Sequence, residues 1–66
     1  MKPETMAKVR KQQLRLTQAQ LGDIIGYSSR QISKMEQGEA EIPLWMPYTL
    51  AWLLVHGAAT VFDDEA

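Results

Sequence analysis

The sequence predicts an all-α fold, and three observations predict it. Thr17 with Gln20, and Ser28 with Gln31, form two capping-box pairs set eleven residues apart, each a hydroxyl at a helix N-cap with an amide three residues on. Gly26 and Gly38 stand just past the two segments so opened, where a left-handed residue ends a helix without a Cβ penalty. Apolar residues recur at three- and four-residue intervals within the helical segments.

The first helix is expected over about Pro3 to Leu14, with Pro3 and Glu4 suited to its first turn. Met6, Ala7, Val9 and Leu14 supply a loose apolar side, with Lys8, Arg10, Lys11 and Arg15 elsewhere. The second runs from about Gln18 to Ile25, with Ala19, Leu21, Ile24 and Ile25 as its apolar set. The third runs from about Ser29 to Gln37 and buries Ile32, Met35 and part of Glu36. Its opposite face reads Ser29, Arg30, Ser33, Lys34 and Gln37, with no acid and no large apolar residue. These are side chains that donate to phosphates and to base edges. The last helix starts between Leu44 and Pro47, because proline is tolerated in a first turn, and ends at His56 before Gly57.

Helix, glycine turn and exposed polar helix together make a helix-turn-helix over about residues 17–38. The stretch resembles that of the lambdoid phage repressor and Cro family, the xenobiotic-response-element class. The match is carried by Leu16-Thr17-Gln18-Ala19-Gln20-Leu21, Ile25-Gly26, Ser28 to Ile32 and Met35-Glu36-Gln37-Gly38, within about residues 5–56. The resemblance implies a compact bundle of four to five short helices and a DNA-binding function.

By position, the resemblance implies that Gln18 contacts a DNA phosphate from the start of its helix. Ser29 and Arg30 would sit at the base-reading start of the recognition helix, with Lys34 one turn further along the groove and Gln37 at the end of that face. Ser28 and Ser33 would touch phosphate or a base edge. Arg30 is the strongest candidate, since a guanidinium can donate two bonds to guanine O6 and N7, giving about 1–3 kcal/mol of discrimination. A surface ion pair with Asp23 is its alternative use. Glu36 matches a position where a carboxylate pairs with a basic residue of the first helix: Lys11 by alignment, with Arg10 equally in reach.

Two positions depart from the family pattern. Arg15 stands where many members have a helix-ending glycine, so it either adopts left-handed geometry at some cost or ends the helix differently. Its charge would lie near the DNA backbone. The loop Glu39 to Leu44, often basic in phage repressors, is here acidic and apolar. The expectation is that it swings away from the duplex while Ile42-Pro43-Leu44 folds back on the core. Fewer phosphate contacts and a shallower salt dependence are the alternative.

The last helix is apolar all round. Leu50, Leu53, Leu54 and either Trp45 or Met46 are expected to face the core, yet Tyr48, Ala51, Trp52 and Val55 are apolar on the other side. Such a face needs cover, and a second copy of the chain is the simplest cover. The alternative is packing under the tail at Ala58 to Phe62. The dimer also suits the chemistry. One recognition helix reads few base pairs, whereas two related by a two-fold axis read a pseudo-palindrome with half-sites about 34–36 Å apart.

Composition bounds the remaining classes. Sixty-six residues make one domain and a thin core, and no cysteine is present to supplement it. The net charge of −1 conceals a split: all seven Lys and Arg residues lie within 1–34, giving +4 over 1–38, while 39–66 carries −5. A basic, DNA-facing end and an acidic end with a solvated tail at 63–66 follow. No secretory signal or membrane-crossing run is read, so a cytoplasmic location is expected. No cofactor or metal is expected either. His56 is the one histidine, with no carboxylate pair or phosphate-binding glycine loop beside it, so an enzyme is not expected. The competing role is a protein-binding helix-turn-helix module, such as an antitoxin or antirepressor. Repression of its own or a neighbouring operon, from a phage or mobile element, follows by analogy with small members of the family.

Overall fold

The computed structural model describes residues 1–57, which form four α-helices and no strand. Helix α1 spans Pro3–Lys8, α2 Gln18–Ile25, α3 Ser29–Glu36 and α4 Met46–His56. The tail, including the expected acidic stretch at 63–66 and the fold-back at Ala58 to Phe62, lies outside the described residues.

The expected first helix does not run on as an α-helix to Leu14. After Lys8 the chain widens into a π-helical segment at Val9–Gln13, and the Leu14 N–H donates to the Val9 carbonyl at 2.9 Å. The apolar spacing explains it. Val9 and Leu14 lie five residues apart, a separation that a π turn brings to one side, and both pack against the core. The segment ends on Arg15 at φ 56°, a left-handed conformation that costs a non-glycine residue about 1–2 kcal/mol.

Both capping boxes form as read. Thr17 Oγ1 accepts from the Gln20 N–H at 3.1 Å while Gln20 Oε1 accepts from the Thr17 N–H at 2.9 Å. Ser28 and Gln31 repeat the exchange at 3.1 and 2.8 Å. Between them, the N–H groups of Gly26 and Tyr27 both donate to the Gly22 carbonyl at 2.8 Å, closing α2 around Gly26 at φ 84°. Gly22 is itself buried where α2 meets this turn. A Cβ there would stand 2.2 Å from the Tyr27 carbonyl oxygen.

The core is Met6, Leu21, Ile32, Met35, Met46, Leu50 and Leu53, so each helix contributes at least one fully buried side chain. Burial of one such side chain contributes about 1.5–3 kcal/mol. Of the two candidates at the start of α4, Met46 is buried, while the Trp45 ring stands edge-on to Tyr27 with centroids 5.8 Å apart.

Three expected core positions are corrected. Leu54 is 42% exposed, because one residue beyond Leu53 turns it about 100° off the buried stripe of α4. Ala19 in the first turn of α2 is exposed. Ile42 and Pro43 do fold back and are half-buried, but Leu44 is 92% exposed.

Candidate nucleic-acid interface

Helix α3 is held by its buried Ile32 and Met35 and by one buried ion pair. Arg10 donates from Nε to Glu36 Oε2 at 2.6 Å and from its Nη2 to Oε1 at 2.9 Å, a two-pronged pair with side chains 6% and 7% exposed. Arg10, not Lys11, is therefore the partner of Glu36. Its remaining Nη1 donates to the Leu16 carbonyl at 2.8 Å, and Gln18 Nε2 donates to Glu36 Oε1 at 3.1 Å. Among the described residues no buried side-chain polar atom lacks a partner. One carboxylate thus ties together the first helical segment, the start of α2 and the end of α3. Burial pushes the Glu36 carboxyl up, but hydrogen bonds from Arg10 and Gln18, with attraction to Arg10 and Lys11, outweigh it and hold the group below its ordinary value of 4.5.

With Ile32, Met35 and Glu36 turned inward, α3 presents Ser29, Arg30, Lys34 and Gln37 to solvent and Ser33 half-buried at the edge of that face. Arg30 makes no ion pair among the described residues, so the pairing with Asp23 does not form. Ser28 is spent as an acceptor on the Gln31 N–H, but its hydroxyl proton remains available to an outside acceptor. Gln37 Nε2 donates to Ser33 Oγ at 3.0 Å, which steadies both on the ridge.

A polar hollow runs along one flank of this ridge. Thr17 and Gln18 at the start of α2, Lys11 of the π-helical segment, and Ser33 and Gln37 of α3 all line it. The structure thereby brings Gln18, Ser33 and Gln37 to one depression, while Ser29, Arg30 and Lys34 lie outside it on the crest. Lys11 and Thr17 were not singled out as site residues from the sequence. From the sequence Lys11 is a possible partner for Glu36 and Thr17 a cap; the fold brings Lys11 into the same hollow as Thr17 and Gln18. On the other flank a smaller recess is lined by Tyr27, Gln31, Lys34, Met35, Ala40 and Glu41. The N–H of Glu39 donates to the Lys34 carbonyl at 2.9 Å and draws the acidic loop against the end of α3.

The outer face of α4 lies opposite its buried stripe. Tyr48 is 78% and Val55 80% exposed, with Ala51 and Trp52 also exposed between them. Trp52 stacks on His56 with ring centroids 4.4 Å apart. No helix of the described residues is long and apolar enough to cross a membrane, and no group of three His, Cys, Asp or Glu among them could hold a metal ion.

Comparison with known proteins places this arrangement. A family model described as helix-turn-helix matches residues 6–44, which takes in the first helical segment, α2, α3 and the loop beyond. No curated protein and no solved structure gives a significant match. The matched span covers more than half the chain and coincides with the ridge and the ion pair that supports it, so the chain belongs to the Cro/C1-type helix-turn-helix family of DNA-binding regulators.

Proposed function

We propose that the chain is a homodimeric repressor of its own or a neighbouring operon, working in the cytoplasm on a pseudo-palindromic operator. Helix α3 enters the major groove with Ser29 and Arg30 on base edges, and Lys34 follows further along. Gln18 and Ser28 hold phosphates on either side, with Ser33 and Gln37 at the groove edge. What carries the reading is the outward face of α3: exposed, free of acids, and set beside a polar hollow that holds Lys11 and Gln18.

The outer face of α4, through Tyr48, Ala51, Trp52 and Val55, is the dimer contact in this reading. Its support is the exposure of these side chains on the side of α4 away from the core. A two-fold axis through that face would give two recognition helices for two half-sites about one helical turn apart.

Selection of bound duplexes from a random pool, with the mass of the complex measured alongside, tests both parts. Two chains on a palindromic site are expected; one chain on a non-palindromic site overturns the dimer. Arg30→Ala should abolish preference at one base pair, at a cost of about 1–3 kcal/mol, whereas Lys8→Ala should weaken all sequences alike. If no duplex is retained at all, a protein-binding role as antitoxin or antirepressor replaces this one.

A further inference from the structure

Four helical segments among the described residues end beside a residue of positive φ. Three of those ends use glycine: Gly26 at 84°, Gly38 at 79° and Gly57 at 82°. The fourth uses Arg15 at 56°. Glycine would serve there without strain, so the arginine is held against the preference of its own backbone. No side-chain contact among the described residues compensates for it. Arg15 is exposed, and it makes no hydrogen bond or ion pair among the described residues.

The turn that carries it is rigid nonetheless. The Leu16 N–H donates to the Arg10 carbonyl at 3.0 Å, and the Arg10 guanidinium donates back to the Leu16 carbonyl at 2.8 Å. The same guanidinium grips Glu36, which also receives Gln18. Arg15 and Gln18 therefore flank the start of α2 from one buried anchor. The helix start adds its own attraction for an anion, and Lys11 lines the adjoining hollow.

We infer that Arg15 binds a backbone phosphate of the DNA next to the one assigned to Gln18, and that its charge is what the strained turn exists to present. The inference rests on the DNA-binding reading above. The occupant is a duplex phosphate because the hollow beside the start of α2 offers Lys11, Thr17 and Gln18 as donors, and the acid that lines it, Glu36, is already engaged by Arg10 and Gln18.

The test compares the parent with Arg15→Gly and Arg15→Lys on the selected operator, measuring Kd from about 0.05 to 0.3 M salt and Tm without DNA. Arg15→Gly should melt at or above the parent temperature, since it relieves the turn. It should also bind about five- to tenfold more weakly at 0.1 M salt for each Arg15 engaged, with the salt slope smaller by about 0.9 per contact. Arg15→Lys keeps charge and strain, and should keep the parent slope. An Arg15→Gly protein with the parent's affinity and slope overturns the inference, as does one that melts lower, which would make Arg15 a structural residue. A parent that binds no duplex removes the DNA reading itself, and this inference with it.

Discussion

Helices α3 and α4 are built on opposite plans. Helix α3 has one apolar stripe and one polar face, and its start is sealed by a local exchange between Ser28 and Gln31. Helix α4 has no side-chain cap and is apolar on both sides, with Met46, Leu50 and Leu53 inward and Tyr48 and Val55 outward. The first plan makes a helix stable in water with a face to offer a polar, charged partner. The second makes a helix whose outer face is content only when something apolar covers it. In the proposed function the domain separates reading from assembly, one helix for each.

The comparison can be broken at several points. The largest effect is expected from Glu36→Gln, which leaves Arg10 buried without its carboxylate. Unfolding at neutral pH should show a loss of about 3–5 kcal/mol, enough to threaten a domain of this size. The parent should also carry a pH signature. Glu36 titrates lower in the folded protein than in the unfolded chain, so its stabilising contribution is fully present above the ordinary glutamate range. It is lost as pH falls from about 4.5 through the lowered folded value. Glu36→Gln should lack that component of the acid limb; an unchanged acid limb would mean that the pair does not govern it.

Next in size is the pair Tyr48→Lys with Val55→Lys, which puts cations on the outer face of α4. Folding stability should stay within about 0.5 kcal/mol, as for other exposed positions. Self-association should fall at least a hundredfold, about 2.8 kcal/mol. Sedimentation in which the mass does not change would leave α4 without a role in assembly. The smallest effect is expected at the cap of α3. Ser28→Ala should cost about 1 kcal/mol in thermal unfolding by leaving the Gln31 N–H without its acceptor.

The regions differ in how much of them the sequence discloses. Both capping boxes, the glycine stops at Gly26 and Gly38, and the polar face of α3 were legible because each depends on residues within four positions of one another. Ile32 and Met35 fell inward as their spacing required. The π-helical segment was not legible as such, since Val9 and Leu14 read as a loose α-helical side until the core drew both in. Leu54 and Leu44 misled for a related reason. Being apolar says that a residue can be buried, and only the packing geometry says which of several apolar neighbours is. The need for glycine at position 22 is not legible in the sequence, because the group it must avoid, the Tyr27 carbonyl, reaches it only after the chain turns at Gly26.

The sequence by itself determined the local elements: where α2 and α3 begin and end, which of their faces is polar, and the concentration of positive charge in residues 1–34. The tertiary structure alone decided that Arg10 and not Lys11 meets Glu36 across 26 residues, that Gln18 shares that carboxylate, and that Lys11 joins Gln18 beside the polar face of α3. The physical reason is range. Capping and periodicity act within a turn or two of helix, whereas a buried ion pair depends on how separate helices approach one another, and several cations of one short segment were equally close along the chain.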